Sequence, residues 1–344
     1  MFGLFSYSPH RYLFILLFLL GACASVVPSI VLAQSPSRTA SGELVGSDTA
    51  ENHKVKPSMS PKKLVLGVIS SNPKNAVKRS MPMARYLASN LSHHGIEKGH
   101  VVVAKDHLQM SRWLVQGRVD IVSESVFSAQ ALVRRSEGEL IARRWKSGVA
   151  EYSSVFFTLK DNSIHSFDDL VGKTVVFEDR ESTSAFYIPA AVLIEQGYSL
   201  FELTSPRETP PPGTIGYLFA DELTTSGGEI NMYTWVYNGI VAAAAFSDVD
   251  WENEIPELLR DKMKIFYRSK PVPRTLDLVR PNMDVRLKED IKAVLFSAHL
   301  SEEGQKALRK YKKTKKFDAI DEQTLSGIEW VEKLKPLVDK SLML

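Results

Sequence analysis

The stretch VVFEDRESTSAFYIP, residues 175–189, joins a run of β-branched residues to a cluster of hydroxyls and then to an aromatic, helix-like segment. Ser182, Thr183 and Ser184 therefore stand where a strand ends and a helix begins. A helix start offers unpaired N–H groups and the positive end of the helix dipole, and one N-cap side chain satisfies only one or two of these amides. The cluster fits either plain helix capping or a cradle for an anion.

Outward from this stretch, strands alternate with helices in both directions. The apolar runs KLVLGVIS (63–70), VVVAK (101–105) and VDIVS (119–123) precede it and are each followed by a helical pattern. IGYLF (215–219) and IVAAAAF (240–246) follow it as further apolar strands. This alternation predicts an α/β fold with mixed, mainly parallel sheets covered by helices.

Two series of these elements are present, and the second is inserted into the first. Short linkers near Glu151 and Lys270 mark the two crossings. We predict a first lobe from residues 63–151 and 271–344, and a second lobe from residues 152–270. Two lobes joined by two crossings form a hinge around a cleft. Ligands of such sheets bind beyond the carboxyl ends of the strands, which is where the hydroxyl cluster is expected.

Residues 1–33 are typical of a secretory signal. The apolar run YLFILLFLL is shorter than the roughly 20 residues that span a bilayer. The following LLGAC resembles a lipobox, which would leave Cys23 as a lipidated first residue, whereas VLAQ fits cleavage after Ala33. An uncleaved membrane anchor is a third interpretation. We predict export to the periplasm, with or without a lipid tether.

The composition of the residues after the signal indicates what kind of protein is exported. Residues 34–62 are rich in Ser, Thr, Pro and Lys and predict a flexible linker. Cys23 is the only cysteine among 344 residues, so the folded domain has no disulfide. The net charge of +3 predicts no large nucleic-acid-binding surface. We expect a monomer without a cofactor.

Four stretches, residues 66–87, 114–133, 152–177 and 177–189, resemble in order the phosphonate and phosphite binding proteins of ABC importers. The last contains the STS signature followed by aromatic residues and a proline. The resemblance covers most of residues 63–260. It implies a two-lobed periplasmic-binding-protein fold of type II, a ligand in the cleft and a permease partner in the inner membrane. It also implies that Ser182, Thr183 and Ser184 hold the oxygens of a phosphonate, phosphite or phosphate-like ligand.

Departures from the family pattern bear on the ligand. Where the family commonly has an aromatic or small residue, this chain has Ser123, Glu124 and Ser125. Glu229 stands where the family often has a histidine, and Ala242 where it has an aspartate. Glutamates in the cleft would suit a ligand with a cationic part, such as an amino-phosphonate, or a ligand that is no oxyanion. Glutamates also commonly face solvent. Tyr152, beside the first crossing, is a candidate wall of the cleft.

Catalytic motifs are weak in this sequence. SNPK (71–74) fits Ser-x-x-Lys, but its companion motifs are absent, as are a nucleophile elbow, a phosphate loop and a zinc-protease helix. A binding protein is therefore predicted, not an enzyme. It serves either as the importer component for an oxyanion or as a sensor that passes the signal of an altered ligand to a membrane partner.

Two further patterns are interpreted as features of the protein surface. His93 and His94 have no sequence neighbours at metal-ligand spacing, so no metal site is predicted. The basic run of residues 306–316 predicts a solvated helix face, with a contact to anionic lipid headgroups or to a partner as the alternative interpretation.

Overall fold

The computed structural model describes residues 62–224 and 228–343. Cys23, the cleavage position after Ala33 and residues 34–61 of the predicted linker lie outside the described residues. The first strand begins at Lys62, the last residue assigned to that linker. Within the described ranges, no helix has both the length and the hydropathy needed to cross a membrane.

The strands of the described chain form two six-stranded sheets and a short two-stranded ribbon. They are β1 Lys62–Ile69, β2 Ile96–Ala104, β3 Ile121–Glu124, β4 Glu139–Arg144, β5 Glu151–Tyr152, β6 Ser154–Leu159, β7 Thr174–Phe177, β8 Ser199–Glu202, β9 Thr214–Phe219, β10 Ala243–Ser247, β11 Met263–Arg268, β12 Val272–Pro273, β13 Leu276–Val279 and β14 Phe317–Asp318. The first sheet has the order β14-β4-β13-β3-β1-β2 and the second β11-β6-β10-β7-β9-β8.

Most strands of each sheet run in one direction. In the first sheet, β13 and β14 oppose the others, and in the second only β6 does. This confirms the predicted mixed, mainly parallel sheets and the two-lobed α/β class.

Helices flank both sheets. They are α1 Pro73–Asn90, α2 His107–Val115, α3 Val126–Ser136, α4 Ile188–Glu195, α5 Ala220–Leu223, α6 Gly228–Tyr237, α7 Asp248–Asn253, α8 Glu257–Arg260, α9 Val285–Ser297, α10 Glu302–Lys310 and α11 Glu322–Leu342. Short 3₁₀ turns at Ser92–His94 and Lys146–Gly148 and a π-helical turn at Thr183–Tyr187 complete the elements used below.

The chain passes between the sheets twice. Strands of the first sheet come from both ends of the described chain, and those of the second from its middle. At the crossings, β5 pairs antiparallel with β12, with Tyr152 opposite Val272. The domain limits given above remain predictions.

The C-terminal helix α11 contacts elements of both lobes. It packs against α3 and β12 and also against α4 and β8. Its buried residues Ile328, Val331, Leu334 and Val338 recur at helical spacing and form one apolar stripe. They belong to a core cluster that includes residues of both sheets. The junction between the lobes is therefore packed rather than open.

Candidate ligand-binding site

The hydroxyl cluster opens a helix just beyond the carboxyl end of β7. The π-helical turn Thr183–Tyr187 runs directly into α4. The Oγ of Ser182 accepts a hydrogen bond from the N–H of Ala185 at 3.2 Å, which is the N-cap contact. Capping therefore accounts for one of the three hydroxyls.

Thr183 lies in the turn after β7 of the second sheet and contacts α3, a helix of the first lobe. It is 1% exposed. Its Oγ1 accepts a hydrogen bond from the N–H of Phe127 at 3.2 Å and donates one to the Oγ of Ser125 at 3.0 Å. Phe127 is the second residue of α3, so its amide has no partner within that helix. The rings of Phe127 and Tyr187 stack beside this contact, with centroids 3.5 Å apart.

Ser184 and Tyr152 form the next part of the site. The carbonyl of Ser184 accepts a hydrogen bond from the Oγ of Ser154 at 2.6 Å, which ties the turn to β6. Tyr152 is buried, and burial raises the pKa of its phenol. The charge of Arg274 and hydrogen bonds with Ser184 and Thr183 act in the opposite direction. Tyr152 therefore lies at the hydroxyl cluster, beside the crossing as its sequence position predicts.

Arg274 covers Tyr152 with its guanidinium group. The guanidinium carbon lies 4.4 Å from the ring centroid, a cation–π contact. Arg274 is 7% exposed, and among the described residues its Nε has no hydrogen-bond partner. A buried donor without a partner is costly, so this atom is a candidate donor to a bound anion.

Two lysines add to this positive charge. Lys146 lies in the turn after β4 and Lys312 in the loop after α10, and the N–H of Ser147 donates to the carbonyl of Lys312 at 3.1 Å. Desolvation by burial holds the pKa of Lys146 well below its usual range, followed by repulsion from Arg274 and Lys312. Desolvation also lowers the pKa of Lys312, followed by repulsion from Arg144. Lys312 keeps its solvent contact, yet it belongs to a cluster of cations and not merely to a solvated face.

Glu124 and Ser125 lie at the junction of β3 and α3. Ser125 contacts Thr183 and donates to the Oγ of Ser128 at 3.3 Å. Burial raises the pKa of Glu124, which is opposed by nearby positive groups, namely His107, Lys312, Lys146 and Arg144. Glu124 thus faces the cation cluster, while its neighbour Ser125 faces the hydroxyl cluster.

Glu229 lies beside a second half-buried acid, Glu178. Burial raises the pKa of Glu178 well above its usual range, and the charge of Glu229 raises it further. Burial raises the pKa of Glu229 too, and the charge of Asp250 adds to the rise. Glu178 also has a hydrogen bond with Ser182. Glu229 is therefore connected to the hydroxyl cluster through Glu178.

Asp250 is common to the two charged groups. It raises the pKa of Glu229, and it is the acidic group that acts on Lys146. The acid pair and the cation cluster are thus within electrostatic range of the same carboxylate.

His107 and Glu181 form a second contact between the lobes. The Nδ1 of His107, at the start of α2, pairs with a carboxylate oxygen of Glu181, just before the hydroxyl cluster. His107 is 5% exposed, and its Nε2 has no partner within residues 62–224 and 228–343. Burial acts to lower the pKa of His107, but the hydrogen bond to Glu181 and the charges of Glu124 and Glu181 outweigh it, so the pKa is raised.

The structure thus brings most residues predicted from sequence into one region. Thr183 and Ser125 are joined by a hydrogen bond, Tyr152 interacts with Thr183 and Ser184, and Ser182 caps the same turn. The glutamates Glu124 and Glu229 flank them. Lys146, Arg274, Glu178 and His107 also belong to this region and carry no local motif.

A family model described as the periplasmic substrate-binding protein of phosphonate ABC transporters matches residues 66–325. This chain belongs to that family. Its members are substrate-binding transport components and not enzymes, in agreement with the class predicted from sequence.

Solved structures agree with this assignment. XAC2383 from Xanthomonas citri, in a structure with chloride ion, is 29% identical, with a TM-score of 0.73 over 81% of this chain and 98% of that chain. A second structure of XAC2383 contains ATP. A phosphonate-transporter binding protein, PA3383 from Pseudomonas aeruginosa, is 20% identical, with a TM-score of 0.58 over 81% of this chain and 88% of that chain. PhnD1 from Prochlorococcus marinus, in complex with methylphosphonate, is 16% identical, with a TM-score of 0.60 over 80% of this chain and 99% of that chain. These last two share the fold.

Proposed function

We propose that this protein is the exported solute-binding component of an ABC importer and that it binds a small phosphonate-, phosphite- or phosphate-like oxyanion between its lobes. Family membership supports the transport role and a permease partner in the inner membrane. The observation that carries the ligand proposal is the contact of Thr183 with the N–H of Phe127 at 3.2 Å. A ligand oxygen that accepts from both this amide and the threonine hydroxyl would connect the two lobes.

The surrounding charge supports an anion. Lys146, Arg274 and Lys312 repel one another, and an oxyanion would relieve that repulsion. The buried Nε of Arg274 is a donor without a protein acceptor in the described chain. Hydrogen bonds between ionised groups are about twice as strong as neutral ones. The phosphonate group is therefore expected between these cations and the hydroxyl cluster.

The acid pair supports an additional amine on the ligand. Desolvation raises the pKa of both Glu178 and Glu229, the charge of Glu229 raises that of Glu178 further, and the charge of Asp250 raises that of Glu229. An ammonium group placed between them would favour both carboxylates. A ligand with an oxyanion at one end and an amine at the other, of the 2-aminoethylphosphonate class, would satisfy both groups of charges.

Binding would act by a population shift. The lobes exchange between open and closed forms, and a ligand that contacts both lobes stabilises the closed form, which the permease then recognises. The contacts of Thr183 and His107 with the opposite lobe would add to the stability of the closed form.

The first test is a thermal-shift and calorimetric panel on the full-chain protein. The ligands are phosphate, phosphite, methylphosphonate, 2-aminoethylphosphonate, sulfate and ATP. A ligand present at about 100 times its Kd stabilises the protein by about 2.7 kcal/mol. We expect the largest shift with 2-aminoethylphosphonate. No shift with any phosphorus oxyanion would contradict the ligand proposal.

Thr183→Val is the matched variant, since valine keeps the shape and removes the hydroxyl. It should lose the ligand-induced shift, whereas Thr204→Val, in a surface turn with Glu208, should keep it. An equal ligand-induced rise in melting temperature in Thr183→Val and in the parent would mean that the ligand does not bind at Thr183. If the protein binds the ligand but cells that lack the protein still take up that ligand normally, the sensing role would be favoured instead.

The mature form is part of the same proposal. We propose a periplasmic monomer that begins either at a lipidated Cys23 or after Ala33. The mass of the mature chain distinguishes the two, and a Cys23→Ala variant should lose membrane attachment only in the lipidated case.

A further inference from the structure

Three potential metal ligands meet on the first lobe, outside the site described above. His93 and His94 form the 3₁₀ turn after α1, and Asp290 lies in α9. The Nε2 atoms of His93 and His94 lie 2.9 Å and 2.7 Å from the same Oδ2 of Asp290. The donor atoms of all three residues lie within 4.8 Å of one another. We propose that His93, His94 and Asp290 form a binding site for Zn²⁺.

The donor set suits this ion. Zn²⁺ is bound by imidazole nitrogens and carboxylate oxygens at about 2.0–2.2 Å, usually in tetrahedral geometry. Ligand atoms in such a site are separated by about 3.3 Å, which follows from bonds of that length. The observed N–O separations need only a small outward movement. Three protein ligands leave the fourth position to water or to an exogenous ligand.

The backbone around the site is held in place, while the ligand side chains keep freedom to adjust. The N–H of His94 donates to the carbonyl of Leu91 at 3.0 Å, and that of Gly95 to the carbonyl of Ser92 at 2.8 Å. Gly95 has a φ of 73°, which ends the turn in the left-handed region. The side chains of His93, His94 and Asp290 are 59%, 17% and 44% exposed, so an ion can reach them. Sites carried on rigid elements lose little entropy on binding.

A simple hydrogen-bonded clasp between the turn and α9 is the competing interpretation. In that arrangement both imidazoles donate to a single carboxylate oxygen. A metal ion would accept the same three atoms as ligands. The two interpretations differ in whether the cluster binds a divalent transition ion in solution.

The test is a Zn²⁺ titration of the full-chain protein, freed of any affinity tag and stripped with a chelator. We expect one Zn²⁺ per chain through this cluster, with affinity weakened at least tenfold in His93→Gln, His94→Gln and Asp290→Asn. The controls are Glu289→Gln on the same helix, whose carboxylate pairs with Lys292, and His100→Gln on an exposed position of β2. Both should bind Zn²⁺ like the parent.

Absence of Zn²⁺ binding, or binding that all three cluster variants retain, would overturn the proposal. Thermal unfolding of each variant without metal checks the fold. If Asp290→Asn does not fold, His93→Gln still decides the outcome, because that ring is largely exposed. The result is independent of the oxyanion proposal, whose readout is the response to phosphonates in metal-free buffer.

Discussion

The Oγ1 of Thr183 accepts a hydrogen bond from the backbone N–H of Phe127 at 3.2 Å, so a hydroxyl beyond a second-sheet strand completes the first turn of a first-lobe helix. A helix N-terminus normally finds its cap within a few residues of its own chain. Here Ser125, the residue at the N-cap position of α3, makes no capping hydrogen bond through its side chain. Thr183 takes over that role across the lobe junction.

The first prediction concerns closure of the two lobes. Thr183→Val leaves the amide of Phe127 without its acceptor, which costs about 1–3 kcal/mol while the amide stays buried. Opening of the lobes would return that amide to water. We therefore expect a larger radius of gyration by X-ray scattering and a lower urea midpoint. Thr183→Ser keeps the hydroxyl and should resemble the parent, and a valine variant with unchanged dimensions and stability would argue against this contact.

The second prediction concerns the cation cluster. Lys146→Met removes an amine donor next to Arg274 whose protonated form a bound anion would favour, so binding of methylphosphonate should weaken. A hydrogen bond to a charged group contributes about 1.5–3 kcal/mol, equivalent to roughly 10- to 150-fold in Kd. Isothermal titration measures it. Lys310→Met, on the exposed face of α10, is the control, and equal affinities in both variants would remove Lys146 from the site.

The third prediction concerns the acid pair. The pKa values of Glu178 and Glu229 are raised above the value of 4.5 for an unperturbed glutamate. Stability from these groups is therefore greatest below that pH and is lost as pH rises through the raised pKa values. Glu229→Gln removes one carboxyl with a raised pKa and the charge that raises the pKa of Glu178. The free energy of unfolding of this variant should therefore increase relative to that of the parent as pH rises.

The control for this pair is Glu257→Gln, at an exposed position of α8, which should follow the parent at every pH. The same Glu229→Gln change should weaken binding of 2-aminoethylphosphonate more than that of methylphosphonate. An equal loss for both ligands would mean that the pair does not hold the amine.

The fourth prediction concerns the contact of His107 with Glu181. The pKa of His107 is raised above 6.5, so the protonated ring stabilises the folded, closed form fully below that pH, and this contribution disappears as pH rises through the raised pKa. The stability difference between the parent and His107→Gln should therefore shrink towards alkaline pH. Urea unfolding across that range measures it.

Other charges near His107 set the size of this effect. Glu124 favours its protonation together with Glu181, and Arg135 opposes it. Asp106 and Asp179 also interact with the ring. Glu181→Gln should move the transition of the parent to lower pH. A pH-independent difference between the parent and His107→Gln would show that the contact does not titrate.

Local sequence patterns predicted the fold class and most of the hydroxyl site. Strands and helices can be predicted from the periodic spacing of their apolar residues, because the buried face of each element recurs at a fixed interval along the chain. Ser182, Thr183 and Ser184 were recognisable because the capping positions of a helix lie next to each other in sequence. Glu124 and Ser125 followed from the same logic, since they join a buried strand to the next helix.

The charged part of the site was decided only by the tertiary structure. Lys146 and Lys312 come from loops far apart in the chain, and Ser147 and Lys312 adopt left-handed φ values of 58° and 51° without a glycine at either position to signal the bend. The partnership of His93 and His94 with Asp290 spans 197 and 196 residues.

The sequence by itself was enough to predict a two-lobed α/β protein of the phosphonate-binding family with a hydroxyl cluster at a helix start. The tertiary structure decided which charges surround that cluster, which lobe supplies each contact and where His93, His94 and Asp290 converge. The physical reason is that secondary structure follows from burial repeated over neighbouring residues, whereas the charge in a cleft depends on loops whose paths are set by packing between distant segments.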